Sequence, residues 1–191
     1  MENFAQDVVA VLDHAGIKEW IAVGHSMGGA VALELAKIEA ERTSVVIGVD
    51  CFTYDGFYQR MSEADIEDTI EPFRRNFSTA MRETVETFFL PEASQELKAW
   101  VGVEMARSPK KPALASLAAL LRWDVDEALA ACSVPVKCIS AAAFLDPQSE
   151  ERLSRKIEIM QMERVGHFLM LEEPEVFNDL LITLSTPFLS D

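Results

Sequence analysis

Five residues near the start of the chain, Gly24-His25-Ser26-Met27-Gly28, fit the pattern G-x-S-x-G, and Gly29 follows them. A serine hydroxyl attacks a carbonyl only with help. It needs a base to take its proton and donors that hold the negative charge forming on the carbonyl oxygen. The residues around Ser26 are arranged for the second need. An apolar run, Trp20 to Gly24, leads in, and helical spacing from Met27 to Ala40 leads out. That context puts Ser26 on a sharp strand-to-helix turn, which lifts its hydroxyl above a sheet. Gly24 and Gly28 are expected to let strand and helix approach without a clash. The Met27 backbone N–H and the positive end of the helix then face the place where an oxyanion forms. The pattern alone is weak, and the strand before it and the helix after it give it weight.

The chain has three histidines from which to draw a base. His14 ends an early helical stretch and reads as a surface residue. His25 adjoins the serine and reads as a residue that packs and orients the turn. His167 lies in a loop after an apolar strand, where an imidazole is free to meet a hydroxyl from another element, and it is the candidate base.

The elements that must position these groups alternate. Residues 2–15 have helical spacing, with Phe4, Val8, Val9, Val11 and Leu12 on one side and Gly16 after them. Buried strands are expected at Trp20–Gly24, Val45–Val49, Val134–Ile139 and Ile157–Met162, with helices at 27–40, 147–155 and 174–183. Residues 51–122 break the alternation. They read as helices 62–78, 79–90, 93–107 and 112–121, punctuated by Pro91, Pro109 and Pro112 and rich in Phe and Met. Continuously apolar strands alternating with helices predict a parallel α/β sheet of about four strands, covered on both faces, with 51–122 as a cap-like insertion. One domain holds all 191 residues.

Composition narrows the partners. With 49% hydrophobic and 26% charged residues the chain is a globular one. The net charge of −15 would repel nucleic acid or an anionic membrane. No apolar stretch is long enough for a membrane span, and the first residues do not read as a signal peptide. Three cysteines, Cys51, Cys132 and Cys138, read as free thiols in a reducing cytoplasm. The scattered histidines and cysteines give no metal-ligand spacing, so neither metal nor cofactor is expected.

Val23-Gly24-His25-Ser26-Met27-Gly28-Gly29 resembles the nucleophile turn of the α/β-hydrolase superfamily. Val165-Gly166-His167-Phe168-Leu169-Met170-Leu171-Glu172-Glu173-Pro174-Glu175 resembles its histidine loop, and Val134-Pro135-Val136 resembles the strand before its catalytic acid. The three matches come in the superfamily's order of nucleophile, acid and histidine. The resemblance implies an acid in the loop after Val134–Ile139, where Asp146 is the one carboxylate and alanines fill the usual polar positions. The alternative is Asp50, at the end of the second strand, where some lipases of this fold carry the acid. Asp124 comes third and is more simply a helix N-cap. The resemblance also implies strands, and a loop with a His-Gly type oxyanion motif, ahead of the nucleophile. None is expected before residue 20, so the chain reads as the C-terminal part of that fold.

The expected activity is hydrolysis of a small apolar carboxylic ester through an acyl-serine, carried by Ser26, His167 and Asp146 with Met27 N–H as oxyanion donor. The competing expectation is a catalytically impaired remnant that persists as an oligomeric or binding module. Strand 20–24 is expected to be a bare sheet edge through which two copies pair as a homodimer.

Overall fold

The computed structural model describes residues 1–189, Asp55 by its backbone alone. In chain order the elements are α1 (Glu2–His14), β1 (Trp20–His25), α2 (Met27–Ile38), β2 (Thr43–Val49), α3 (Asp55–Tyr58), α4 (Glu63–Arg75), α5 (Phe77–Thr87), α6 (Gln95–Ala106), α7 (Lys110–Leu121), α8 (Val125–Ala131), β3 (Val136–Ala141), α9 (Pro147–Leu153), β4 (Glu158–Met162), α10 (Leu169–Glu172) and α11 (Pro174–Ser185). The four strands form one parallel sheet in the order β1-β2-β3-β4. This is the architecture that the alternating apolar runs predict.

Both faces of the sheet are covered, which is why its strands are apolar throughout. Ala22, Val46, Val136 and Cys138 point to one face, against Ala30, Leu33 and Ala36 of α2, Val125 and Leu129 of α8, and Leu153 of α9. Val45, Ile47, Val49, Ile139 and Ala141 point to the other, against Phe177 and Leu184 of α11. The period-two alternation along β2 therefore divides one strand between two cores. Burying a Val, Leu or Ile side chain contributes about 1.5–3 kcal/mol, so these layers fix where each strand ends.

The ends matter because the candidate groups sit there. β3 runs two residues further than its apolar pattern suggests. The alanines after Ile139 are Ala141, which is fully buried in the strand, and the 3-10 turn Ala142–Phe144. Ala141 packs in the core, which explains its small apolar side chain, whereas Ala143 in the turn is exposed. Between β2 and β3 the chain makes the helices α3 to α8. The expected long helix pair divides at Asn76, whose side chain accepts the Thr79 N–H at 3.3 Å and starts α5. Helix α8 was not foreseen, although Asp124 caps it by accepting the Glu127 N–H at 3.0 Å. At the sheet's edge β1 has one strand neighbour, β2, and Val23 on it is 47% exposed. No helix among the described residues is long and apolar enough to cross a membrane.

Candidate functional site

Ser26 stands between β1 and α2 with φ 53° and ψ −126°, a conformation that costs a non-glycine residue about 1–3 kcal/mol. Its neighbours hold it there. The Ser26 N–H donates to Val49 O at 2.9 Å, and Ser26 O accepts the Gly29 N–H at 2.8 Å. Strand and helix meet so closely that a Cβ on Gly24 would lie 2.1 Å from Gly28 O. The second glycine required by space is Gly29, where a Cβ would lie 2.3 Å from Cys51 Sγ. Gly28 itself is a correction to the sequence reading, because a Cβ there would meet no described atom within 4 Å. Met27 is the first residue of α2, so its N–H is one of the helix's unpaired donors.

His167 reaches the same end of the sheet from the loop after β4. Its N–H donates to Phe88 O at 2.7 Å, and its ring lies 4.8 Å from that of Phe88 and 4.5 Å from that of His25. Gly166 before it has no room for a side chain, since a Cβ would sit 2.4 Å from Phe88 O. The Gly166 N–H donates to Glu172 Oε1 at 2.9 Å, and burial raises the Glu172 carboxyl above its usual range.

The carboxylate that meets His167 is Asp50. His167 Nδ1 and Asp50 Oδ2 are 2.6 Å apart, with both side chains largely buried. An ionised carboxylate only accepts, so Nδ1 carries the proton and the Nε2 lone pair is left as the base. Asp50 is fixed on its other sides. Its Oδ1 accepts the Ala141 N–H at 2.8 Å, and its own N–H donates to Ile139 O at 2.7 Å. Its φ of 44° turns the chain sharply at the end of β2, and Phe52 follows with φ 71°. Positive φ at non-glycine residues persists only where the surroundings impose it, and such strain gathers at functional sites.

Asp146, the first expectation for the acid, is not brought to His167. Its Oδ1 accepts the N–H groups of Gln148 and Ser149, each at 2.9 Å, and so caps α9. Those two N–H groups, Ser149 first, hold its carboxyl below the usual range. The physical reason is local: an Asp followed by Pro147 at the start of a helix is an N-cap.

His25 acts on the site through the backbone. Its Nε2–H donates to His167 O at 2.8 Å, tying the histidine loop to the serine turn. Burial above all, then the neighbouring His167, lowers its pKa from 6.5 to about 4, so it is neutral near pH 7. The Phe88 carbonyl was not legible as an anchor, because a backbone acceptor leaves no mark in the residue types. His14 is exposed on α1, as its position suggests. Among the described residues no group of three or more His, Cys, Asp or Glu side chains could hold a metal ion.

The model of the Alpha/beta hydrolase family matches residues 2–180. A curated relative, the AB hydrolase superfamily protein YisY of Bacillus subtilis, is 28% identical over an alignment 195 residues long that covers 96% of this chain and 73% of that protein. Among solved structures, the esterase EaEST of Exiguobacterium antarcticum superposes with a TM-score of 0.82 at 21% identity, covering 95% of this chain and 72% of its own. A thermophilic esterase of Thermogutta terrifontis gives 0.83 at 20% identity, covering 99% and 73%. At these identities the structures establish a shared fold.

Proposed function

Because the chain belongs to the alpha/beta hydrolase family, we propose that it is a serine hydrolase in which Ser26 attacks, His167 carries the proton and Asp50 orients His167. The observation that carries this reading is the 2.6 Å bond between His167 Nδ1 and Asp50 Oδ2, in a loop that His25, the residue before Ser26, ties down through His167 O. The residues come from three separate chain segments, and each is held in place by backbone hydrogen bonds rather than by its own side chain alone.

The steps follow from the groups present. Ser26 Oγ bonds to the ester carbonyl carbon while its proton passes to His167 Nε2. The carbonyl electron pair moves onto oxygen, where the Met27 N–H is the local donor. The pair returns as the alcohol leaves, taking the proton from His167. Water repeats the sequence and releases the acid. Asp50 keeps its bond to His167 Nδ1 and stabilises the imidazolium. A small apolar acyl group suits the aromatic surroundings of His167, formed by Phe88 and Phe168.

A fluorophosphonate probe tests the reading. It is expected to add one phosphonyl group at Ser26, and Ser26→Ala is expected to abolish the addition. Labelling that persists in Ser26→Ala would place the reactive residue elsewhere. A folded wild-type protein that takes no label would favour the alternative, a family member retained without catalysis. We propose in addition that the open edge of β1 pairs with a second copy, supported by its single strand neighbour and the exposed Val23.

A further inference from the structure

Glu172, the last residue of α10, holds the residues on both sides of His167. Its Oε1 accepts the Gly166 N–H at 2.9 Å, and its own N–H donates to Phe168 O at 3.1 Å. The single turn of α10 folds it back over the loop in this way. His167 itself is fixed through its N–H, which donates to Phe88 O at 2.7 Å, and through its carbonyl, which accepts from His25 Nε2 at 2.8 Å. Of these four bonds, the one to the Glu172 side chain has a carboxylate as acceptor, and such charge-assisted bonds are the stronger kind. The space around it is closed. A Cβ on Gly166 would lie 2.4 Å from Phe88 O and 3.0 Å from Glu172 Oε1, so the glycine sits between the two with no side chain to wedge them apart. Glu173, the next residue, is exposed. The Glu172-Glu173 pair thus divides into one carboxylate turned to the loop and one turned to solvent.

We infer that Glu172 is a positioning residue: by holding the Gly166 N–H it sets where the His167 ring stands, so that Nδ1 meets Asp50 and Nε2 is left for the serine proton. The inference rests on His167 being the base that serves Ser26. A buried N–H must find an acceptor, and a glycine turns more freely than any other residue to find one. Without the Glu172 carboxylate, Gly166 is free to rotate toward another partner, and the imidazole one residue on moves with it. The bond it would leave is short, 2.6 Å between His167 Nδ1 and Asp50 Oδ2. Misplacing a reacting group by about 1 Å is enough to cost about 10²-fold in rate. The electrostatics of Glu172 agree with this geometry. Burial above all raises its carboxyl, and the Asp50 charge adds to the rise, while the Gly166 N–H and the Lys98 ammonium of α6 act against it. Lys98 is itself buried, its Nζ donating to Pro91 O at 3.3 Å. Amide and carboxylate therefore stabilise each other, and the loop before α10 is tied by one charged residue that touches no reacting atom.

Two substitutions test this. Glu172→Leu removes the acceptor, and Glu172→Gln keeps one in its amide oxygen. With p-nitrophenyl acetate, Glu172→Leu is expected to lose about 10²-fold in kcat while KM stays within about threefold, and Glu172→Gln is expected to stay within about fivefold of wild type. The His167 Nδ1 proton, read downfield by ¹H NMR, is expected to keep its position in Glu172→Gln and to shift or broaden in Glu172→Leu. A Glu172→Leu kcat within about threefold of wild type, or an Nδ1 proton that this substitution does not move, would overturn the inference and leave the Ser26 reading standing. A Glu172→Gln protein as impaired as Glu172→Leu would overturn it as well. A wild-type protein that neither hydrolyses the ester nor takes the fluorophosphonate would overturn both. A further measurement on the wild type does not depend on a variant folding. As acid is added, the Gly166 amide proton is expected to shift with the same midpoint as the Glu172 carboxyl carbon. A Gly166 amide that does not follow that carboxyl would overturn the inference.

Discussion

Replacing His25 by glutamine separates the role of its N–H from the role of its titration. Glutamine keeps a neutral donor for His167 O and cannot be protonated. In the folded protein His25 titrates at about 4, against 6.5 when unperturbed. Its folded pKa is thus depressed, and the unfolded chain binds the proton more readily. The stability that this supplies is complete above pH 6.5, shrinks as pH falls toward 4 and stays lost below it. At about 1.4 kcal/mol per pH unit the whole amounts to about 3 kcal/mol, of which about 2 kcal/mol has gone by pH 5. Urea unfolding at pH 7.5 and pH 5 measures it. The wild type is expected to lose about 2 kcal/mol more than His25→Gln over that interval, since the carboxylates titrate alike in both. Losses equal to within about 0.5 kcal/mol would refute the argument that burial keeps His25 neutral.

Two further outcomes follow from the serine turn and the sheet edge. Gly24→Ala is expected to cost about 3 kcal/mol in urea unfolding, because its Cβ would overlap Gly28 O at 2.1 Å, whereas Gly28→Ala is expected to stay within about 1 kcal/mol of wild type. If β1 pairs two copies, sedimentation equilibrium is expected to give twice the 21.3 kDa chain mass, and a mass of 21.3 kDa at every concentration would remove that proposal.

The turn that holds Ser26 and the loop that holds His167 were legible in the sequence because each is a short, continuous signature: glycine-flanked serine between strand and helix, and glycine-histidine after a strand. The sheet was legible for the same reason, since each apolar run is local. The hydrogen bond between Asp50 and His167 was legible only as one alternative among the carboxylates, because it is a contact across 117 positions. Two facts hidden from residue types decide it. The adjacency of β2 and β3 supplies the Ala141 N–H, and a positive φ turns the Asp50 carboxylate inward. Asp146 looked better placed in the chain order, yet its own neighbours, Pro147 and the next two N–H groups, claim it as a cap. Helix α8 escaped because seven residues carry too little periodicity to stand out, although its Asp124 cap was visible.

The paired variants Asp50→Asn and Asp146→Asn test the central claim most directly, with kcat on p-nitrophenyl acetate as the readout. An asparagine at the orienting position favours the wrong imidazole tautomer and costs about 10⁴ in rate where such a triad operates. Asp50→Asn is therefore expected to lose about 10⁴ in kcat while Asp146→Asn stays within about threefold of wild type. Activity that survives Asp50→Asn and collapses in Asp146→Asn would contradict the account.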